Sequence, residues 1–327
     1  EHRDPADGPP PTFREFTGSP NMSTESLKEL EEEVQGMNFD SVEQYNAFLR
    51  ARTARANARP IDDFLGLSPE QMHSMLDRRI EQNTHILTLN TDPDAALTDD
   101  VPALRQILFV YEKIAENEKG LRATQKGNLP LKLVREFYYT FVRPDDFIDF
   151  NPRTESHVLN LEKAKFFLRD SGLIKYRHRT YSSTAKGRKL FAPGNRGELY
   201  MWMFNFFIQR INWLYGTAFP DELMFIQRSR LFCLYLLKQK AKDFTPARKL
   251  AEIYAKAFPM LVRDLSMKPR VTDPHDKIIH GFSCVFMDRI ARYLGLTEGK
   301  KVSGDSFDED SEYRTTPLFK DLLHWKV

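Results

Sequence analysis

Apolar residues along the chain recur mostly at helical spacing, with short β-prone runs between the helical stretches. Leu161, Ala164 and Leu168 stand at i, i+3 and i+7 with Phe167 beside them, giving one apolar helix face. Gly172 follows the last periodic residue, where a left-handed C-cap suits glycine. Residues 173–178 and 180–183 are β-prone runs about a turn at Arg179, and Thr184 is placed to cap a closing helix carrying Leu190 and Phe191. Upstream, Leu27, Leu30 and Val34 mark a helix with an acidic outer face (Glu29, Glu31, Glu32, Glu33). Val42, Tyr45, Phe48 and Leu49 mark a second helix, capped by Asp40 or Ser41, that runs into Arg50, Arg52, Arg55 and Arg59. These two helices can pack as a pair. Ser68, Pro69 and Gln71 predict a capping box, with Leu67 stapling onto Met72. Helices are expected over 101–118 (Leu104, Leu108, Tyr111, Ile114) and around Leu133, Val134, Phe137 and Tyr138. The stretch 199–215 is apolar nearly all round, so Trp202, Phe204 and Phe207 are expected to be buried. Further helices are expected over 223–237, 244–258, 260–266 and 277–294, and Thr316 and Pro317 open a last helix through Trp325.

One local pattern returns. Gly120-Leu121 precedes Thr124-Gln-Lys126-Gly127, and Gly172-Leu173 precedes Thr184-Ala-Lys186-Gly187, each after one helix and before another. A looser third copy runs from Gly295-Leu296 to Thr316, with an acidic insertion over 303–312 in place of a short wing. The Gly-to-Thr separations are 4, 12 and 21 residues, a variation that loops absorb at little cost. The order helix, Gly-Leu, hairpin, Thr-capped helix resembles the second half of a winged helix. That resemblance implies a mainly α protein with small β-hairpins, in which winged-helix-like units surround an aromatic helical core. The expected organisation is a mobile arm over 1–22, an N-terminal helical region over 23–98, paired winged-helix-like units over 99–192, and a helical domain over 193–327 ending in a third unit. The segment Phe64-Leu-Gly-Leu-Ser-Pro-Glu-Gln-Met72, with the elements at 124–130 and Asn212-Trp213, is similar to a family of uncharacterised bacterial proteins. This likeness brings no activity, and no functional residue is carried over from it.

Charge and composition narrow the function. A net charge of +2 gives no global field toward nucleic acid or membrane, so any such contact is local. Cys233 and Cys284 lie in apolar runs with no CxxC spacing, which argues against a disulfide or zinc framework and for a reducing compartment. Residues 1–22 lack the apolar core of a signal peptide, and 199–215 is too short and too polar to span a bilayer, so a cytoplasmic location without membrane contact is expected. HExxH, GxGxxG and GxxxxGK[ST] are absent, and Gly281-Phe-Ser283-Cys284-Val285 lacks the second glycine of a nucleophile elbow. His275 and His280 stand five apart, which misses one helical face, and Asp273 or Asp276 reads as a helix cap. No catalytic, metal-binding or cofactor-binding residue is assigned.

The local anomaly is the stretch 175–196, with seven cations, no acidic residue, and Tyr176 and Tyr181 between them. Lys175, Arg177, Arg179, Lys186, Arg188 and Lys189 are the candidate nucleic-acid contacts, with Arg177 and Arg179 at a wing tip. The helix before the wing mixes Glu162, Lys163, Lys165, Arg169 and Asp170, a poor set for reading base edges. The pattern points to binding, not catalysis. It suits a protein-interaction or scaffold module with a protein partner, or a nucleic-acid-binding protein using the basic wing; an unrecognised enzyme is the third class.

Overall fold

The computed structural model describes residues 32–33, 35, 37, 39–76, 79–116, 118–142, 150–268, 273–300 and 311–327. The expected arm at 1–22, the helix of Leu27, Leu30 and Val34, the turn at 269–272 and the insertion at 303–310 lie outside these residues. The described chain is mainly helical, with three small antiparallel sheets.

Helix α1 (Val42–Ala58) is capped by Ser41, whose Oγ accepts the Gln44 N–H at 3.2 Å, yet it buries none of its residues. Arg52 of α1 pairs with Glu33 at 2.5 Å. Helix α2 (Pro69–Met75) has the expected capping box: the Ser68 N–H donates to Gln71 Oε1 at 2.9 Å and the Gln71 N–H to Ser68 Oγ at 3.2 Å. Leu67 and Met72 are both buried beside it. Strand β1 (Leu87–Leu89) follows.

The next elements are α3 (Pro102–Ala115), β2 (Leu121–Arg122), α4 (Leu131–Phe141), α5 (Leu159–Asp170), β3 (Ile174–Arg177), β4 (Thr180–Ser183) and α6 (Ala185–Leu190). β4 lies between β2 and β3. After α7 (Arg196–Gln209) and α8 (Met224–Arg228), the same order returns. Helix α9 (Arg230–Lys240) leads to β5 (Thr245–Pro246), α10 (Ala247–Ala257), an added α11 (Pro259–Ser266), and α12 (Pro274–Gly281), which continues as an 11-residue π-helix, Phe282–Arg292. Then come β6 (Thr297–Lys300), β7 (Glu312–Thr315) and α13 (Pro317–Leu322), with β7 between β5 and β6.

The two units match atom for atom at their hairpin roots. Gly172 and Gly295 take φ of +70° and +72°. Thr184 Oγ1 donates to the Gly172 carbonyl at 2.8 Å and accepts the Gly187 N–H at 2.9 Å; Thr316 Oγ1 donates to the Gly295 carbonyl at 2.7 Å and accepts the Phe319 N–H at 3.2 Å. Each hydroxyl thus closes one helix and opens the next, satisfying a terminal donor and a terminal acceptor that would otherwise be orphaned. Tyr181 and Tyr313, each three residues before its threonine, are buried on the middle strands.

Helix α7 joins the units. Its Tyr200 hydroxyl donates to the Leu294 carbonyl at 2.9 Å, and Phe207 meets the Tyr293 ring edge-on at 5.5 Å. Tyr293 in turn donates to Gln106 Oε1 of α3 at 3.0 Å. Tyr200, Phe204 and Phe207 belong to one continuous hydrophobic core with the interior of both units, and each such burial is worth roughly 1.5–3 kcal/mol.

Four expectations are corrected. The Gly120 and Gly172 segments, expected as two units, belong to one sheet, because β2 pairs with β4, Leu121 opposite Tyr181. The stretch 223–237 is not one helix. It breaks at Ser229, whose Oγ donates to the Phe225 carbonyl at 2.7 Å and bonds the Tyr254 hydroxyl at 2.7 Å, drawing the chain away from helical continuation. The last helix stops at Leu322, because the next three residues form β8 (Leu323–Trp325) against β1 and satisfy that strand's backbone groups. Trp202 is 38% exposed: it lies on the one stripe of α7 that faces water, one turn from the exposed Glu198.

Candidate functional site

The β3–β4 hairpin closes through only two residues, His178 and Arg179, with φ of +47° and +59°. Two consecutive positive φ values are what a type I′ turn requires, and its twist matches that of the strands. Neither residue is glycine, so the turn carries a conformational cost of about 1–2 kcal/mol at each position. The result is a short tip that holds Arg179 in water.

Strand register sorts the neighbouring side chains onto two faces. Tyr176 pairs with Tyr181, their rings 4.7 Å apart, and Leu121 lies opposite Tyr181 on the other side. This face turns inward at the buried Tyr181, while Tyr176 at its edge is exposed. The Tyr181 hydroxyl donates to the Gly127 carbonyl at 2.6 Å, tying the hairpin to the 124–130 loop. Burial pushes the Tyr181 phenol up to about 12, with the nearby Glu155 charge adding to the effect, so it remains a donor at neutral pH. The buried Glu155 holds the same loop: its Oε2 accepts the Leu129 N–H at 2.6 Å, and Lys165 neutralises it.

The outer face carries the charge. Arg177 lies opposite Thr180, which lies opposite Arg122 of β2, and Lys175 lies opposite Ser182. Arg122, Lys175, Arg177 and Arg179 are all exposed, and among the described residues none has an ion pair. Arg122 was missed in the sequence because its contribution depends on pairing across 58 positions, from Arg122 to Thr180.

The other candidate cations sit at the hairpin root. Lys186 Nζ donates to the Ser171 carbonyl at 2.9 Å and stands 3.9 Å over the Trp202 ring. Arg188 donates to the Ser183 carbonyl and hydroxyl, both at 3.3 Å. Lys189 is exposed with no ion pair among the described residues, while Arg196 approaches Asp99 at 3.9 Å. The six candidates therefore divide into four free cations and two, Lys186 and Arg188, engaged locally.

Helix α5, which precedes the hairpin, is covered on one side and leaves Phe166, Arg169 and Asp170 exposed on the other. Phe167 packs on Phe206 at 5.2 Å, Asp170 pairs with Arg210 at 2.9 Å, and the buried Lys163 ammonium lies 5.6 Å from the Tyr293 ring centre. Burial, aided by the positive charge of Arg289, lowers Lys163 to about 7. The second hairpin differs in charge from the first, since Arg314 pairs with Glu298 across it and Tyr313 donates to Asp288 Oδ1 at 2.8 Å. Asp273 caps α12 by accepting the Asp276 N–H at 2.9 Å, as expected, and no group of three potential metal-ligating side chains occurs among the described residues. Cys284 lies 3.7 Å from His280 Nδ1, and Cys233 is buried, its thiol pushed up by desolvation. No helix of the described residues is long and apolar enough to cross a membrane. No protein-family profile, curated protein or solved structure matches this chain.

Proposed function

We propose that the chain is a non-catalytic binding protein built on two winged-helix-like units, and that the first hairpin docks on nucleic-acid phosphates. The unit reading draws support from the shared order helix, strand, helices, hairpin, capped helix, and from the first strand pairing with the last in both sheets. The observation that carries the phosphate reading is the outer face of β2–β4–β3, where Arg122, Lys175 and Arg177 adjoin Arg179 at the tip without an opposing carboxylate among the described residues. Such contacts position a protein on the backbone without specifying sequence. Base readout by α5 draws no support from its exposed positions, because these are Phe166, Arg169 and Asp170, and Asp170 is paired with Arg210.

The test is binding of labelled duplex DNA to the full chain over a salt series. Each neutralised phosphate contributes roughly −0.9 to the slope of log affinity against log salt. Four contacts give a slope between about −3 and −4. The double reversal Arg177→Glu, Arg179→Glu should abolish binding while changing stability by less than about 0.5 kcal/mol. Unchanged binding by that variant, or none by the parent at low salt, refutes the reading. A protein-interaction or scaffold role is the second reading, favoured by the exposed side of α5, where Phe166, Arg169 and Asp170 form a poor set for reading base edges.

A further inference from the structure

We infer that the nucleic acid taken by this surface is single-stranded, with unpaired bases stacking on Trp202 and Phe166 while the hairpin holds the backbone. This rests on the phosphate-binding reading of the hairpin. Among the aromatic residues of α7, Tyr200, Phe204, Phe206 and Phe207 are buried, whereas Trp202 is 38% exposed; Phe166 on the neighbouring α5 is 40% exposed. The two are joined through Phe206, which meets the Phe166 ring at 5.5 Å and stands one turn after Trp202 on α7. An aromatic shelf therefore stays open to water beside a well-packed core, where further burial would be favourable.

The shelf is rimmed by cations. Lys186 sits on the Trp202 ring face at 3.9 Å, so a stacking base displaces this ammonium toward the strand's phosphates; the Arg210 guanidinium lies 5.7 Å from the Phe206 ring centre, and exposed Arg169 is one turn after Phe166. Of the nearby carboxylates, Asp170 is bound to Arg210, and Glu198 stands exposed one turn before Trp202. The position relative to the hairpin matters most. Lys186 is bonded to Ser171, three residues before β3, and the four residues of β3 at about 3.3 Å each rise about 13 Å from hairpin root to tip. About four nucleotides at 3.4 Å each would run the length of that strand. In the proposed mode the backbone follows the basic outer face and the bases reach the shelf through the hairpin root, where Lys186 joins Ser171 to Trp202. In a duplex the base faces are already stacked on one another, so only a single strand can use these rings.

The experiment measures binding of a labelled oligothymidylate, the corresponding duplex and an abasic strand of equal length to the full chain at one salt concentration. The single strand should bind at least about tenfold more tightly than the other two, with quenching of tryptophan emission that disappears in Trp202→Phe. The pair Trp202→Ala, Phe166→Ala should lose about tenfold or more for the single strand and leave duplex binding unchanged. If that variant does not fold, the parent's quenching by oligothymidylate and not by the abasic strand decides the question. Duplex affinity equal to or above that of the single strand, or single-strand affinity unaffected by the pair, overturns the stacking inference and leaves the phosphate reading in place. Failure of the parent to bind any of the three, or equal competition by poly-glutamate, overturns the phosphate reading and the inference with it.

Discussion

Two glycines at equivalent places are required for different reasons. Gly172 needs only its left-handed backbone, since a Cβ there would meet nothing within 4 Å, whereas a Cβ at Gly295 would also fall 2.7 Å from Val101 Cγ2. Gly172→Ala should therefore cost about 1 kcal/mol and Gly295→Ala about 2 kcal/mol or more in urea denaturation. Equal costs would mean that Val101 yields freely. Lys163 is the residue with a pH signature. Its folded pKa of about 7 lies below the usual lysine value, so between about pH 7 and 10 the unfolded chain binds more protons than the folded one. Stability from this group is thus least below pH 7 and rises with pH, by up to about 1.4 kcal/mol per unit. Thermal melts across that range should show the rise in the parent and lose it in Lys163→Met, which should also be the more stable protein at neutral pH.

At the scale of the element, the first hairpin balances turn strain against display of charge. His178→Asn with Arg179→Gly supplies the residues that a type I′ turn favours and should stabilise the fold by about 1 kcal/mol. On the proposed phosphate reading the same change removes one contact, so the salt slope should become shallower by about 1. A stabilised variant with an unchanged slope would remove Arg179 from the interface. Local elements of this kind were legible in the sequence. Gly172, Thr184, Ser68 and Asp273 all act as their neighbours dictate, because capping is decided within four residues. Pairing between distant strands was not legible. Nothing near Arg122 announces Thr180 as its partner, and nothing near Trp325 announces Leu87. Trp202 escaped for a related reason: an apolar helix has no marked outer stripe until its neighbours are placed.

Across the whole molecule, one architecture occurs twice with different surfaces. Both units use the same glycine, tyrosine and threonine at the hairpin root, while the exposed positions diverge. The first hairpin presents free cations, and the second balances Arg314 with Glu298. Interior residues are held by packing and by the need to satisfy buried polar groups, whereas solvent-facing residues of a strand are free to change sign. The second hairpin therefore serves as an internal control for the first. The most direct test compares salt-dependent nucleic-acid binding by the parent, by Arg177→Glu with Arg179→Glu, and by Lys300→Glu in the second hairpin. The expected result is a steep slope in the parent and in Lys300→Glu, and loss of binding in the first-hairpin variant alone. A flat slope in the parent, or equal losses from both hairpins, would contradict the assignment of phosphate binding to the first hairpin.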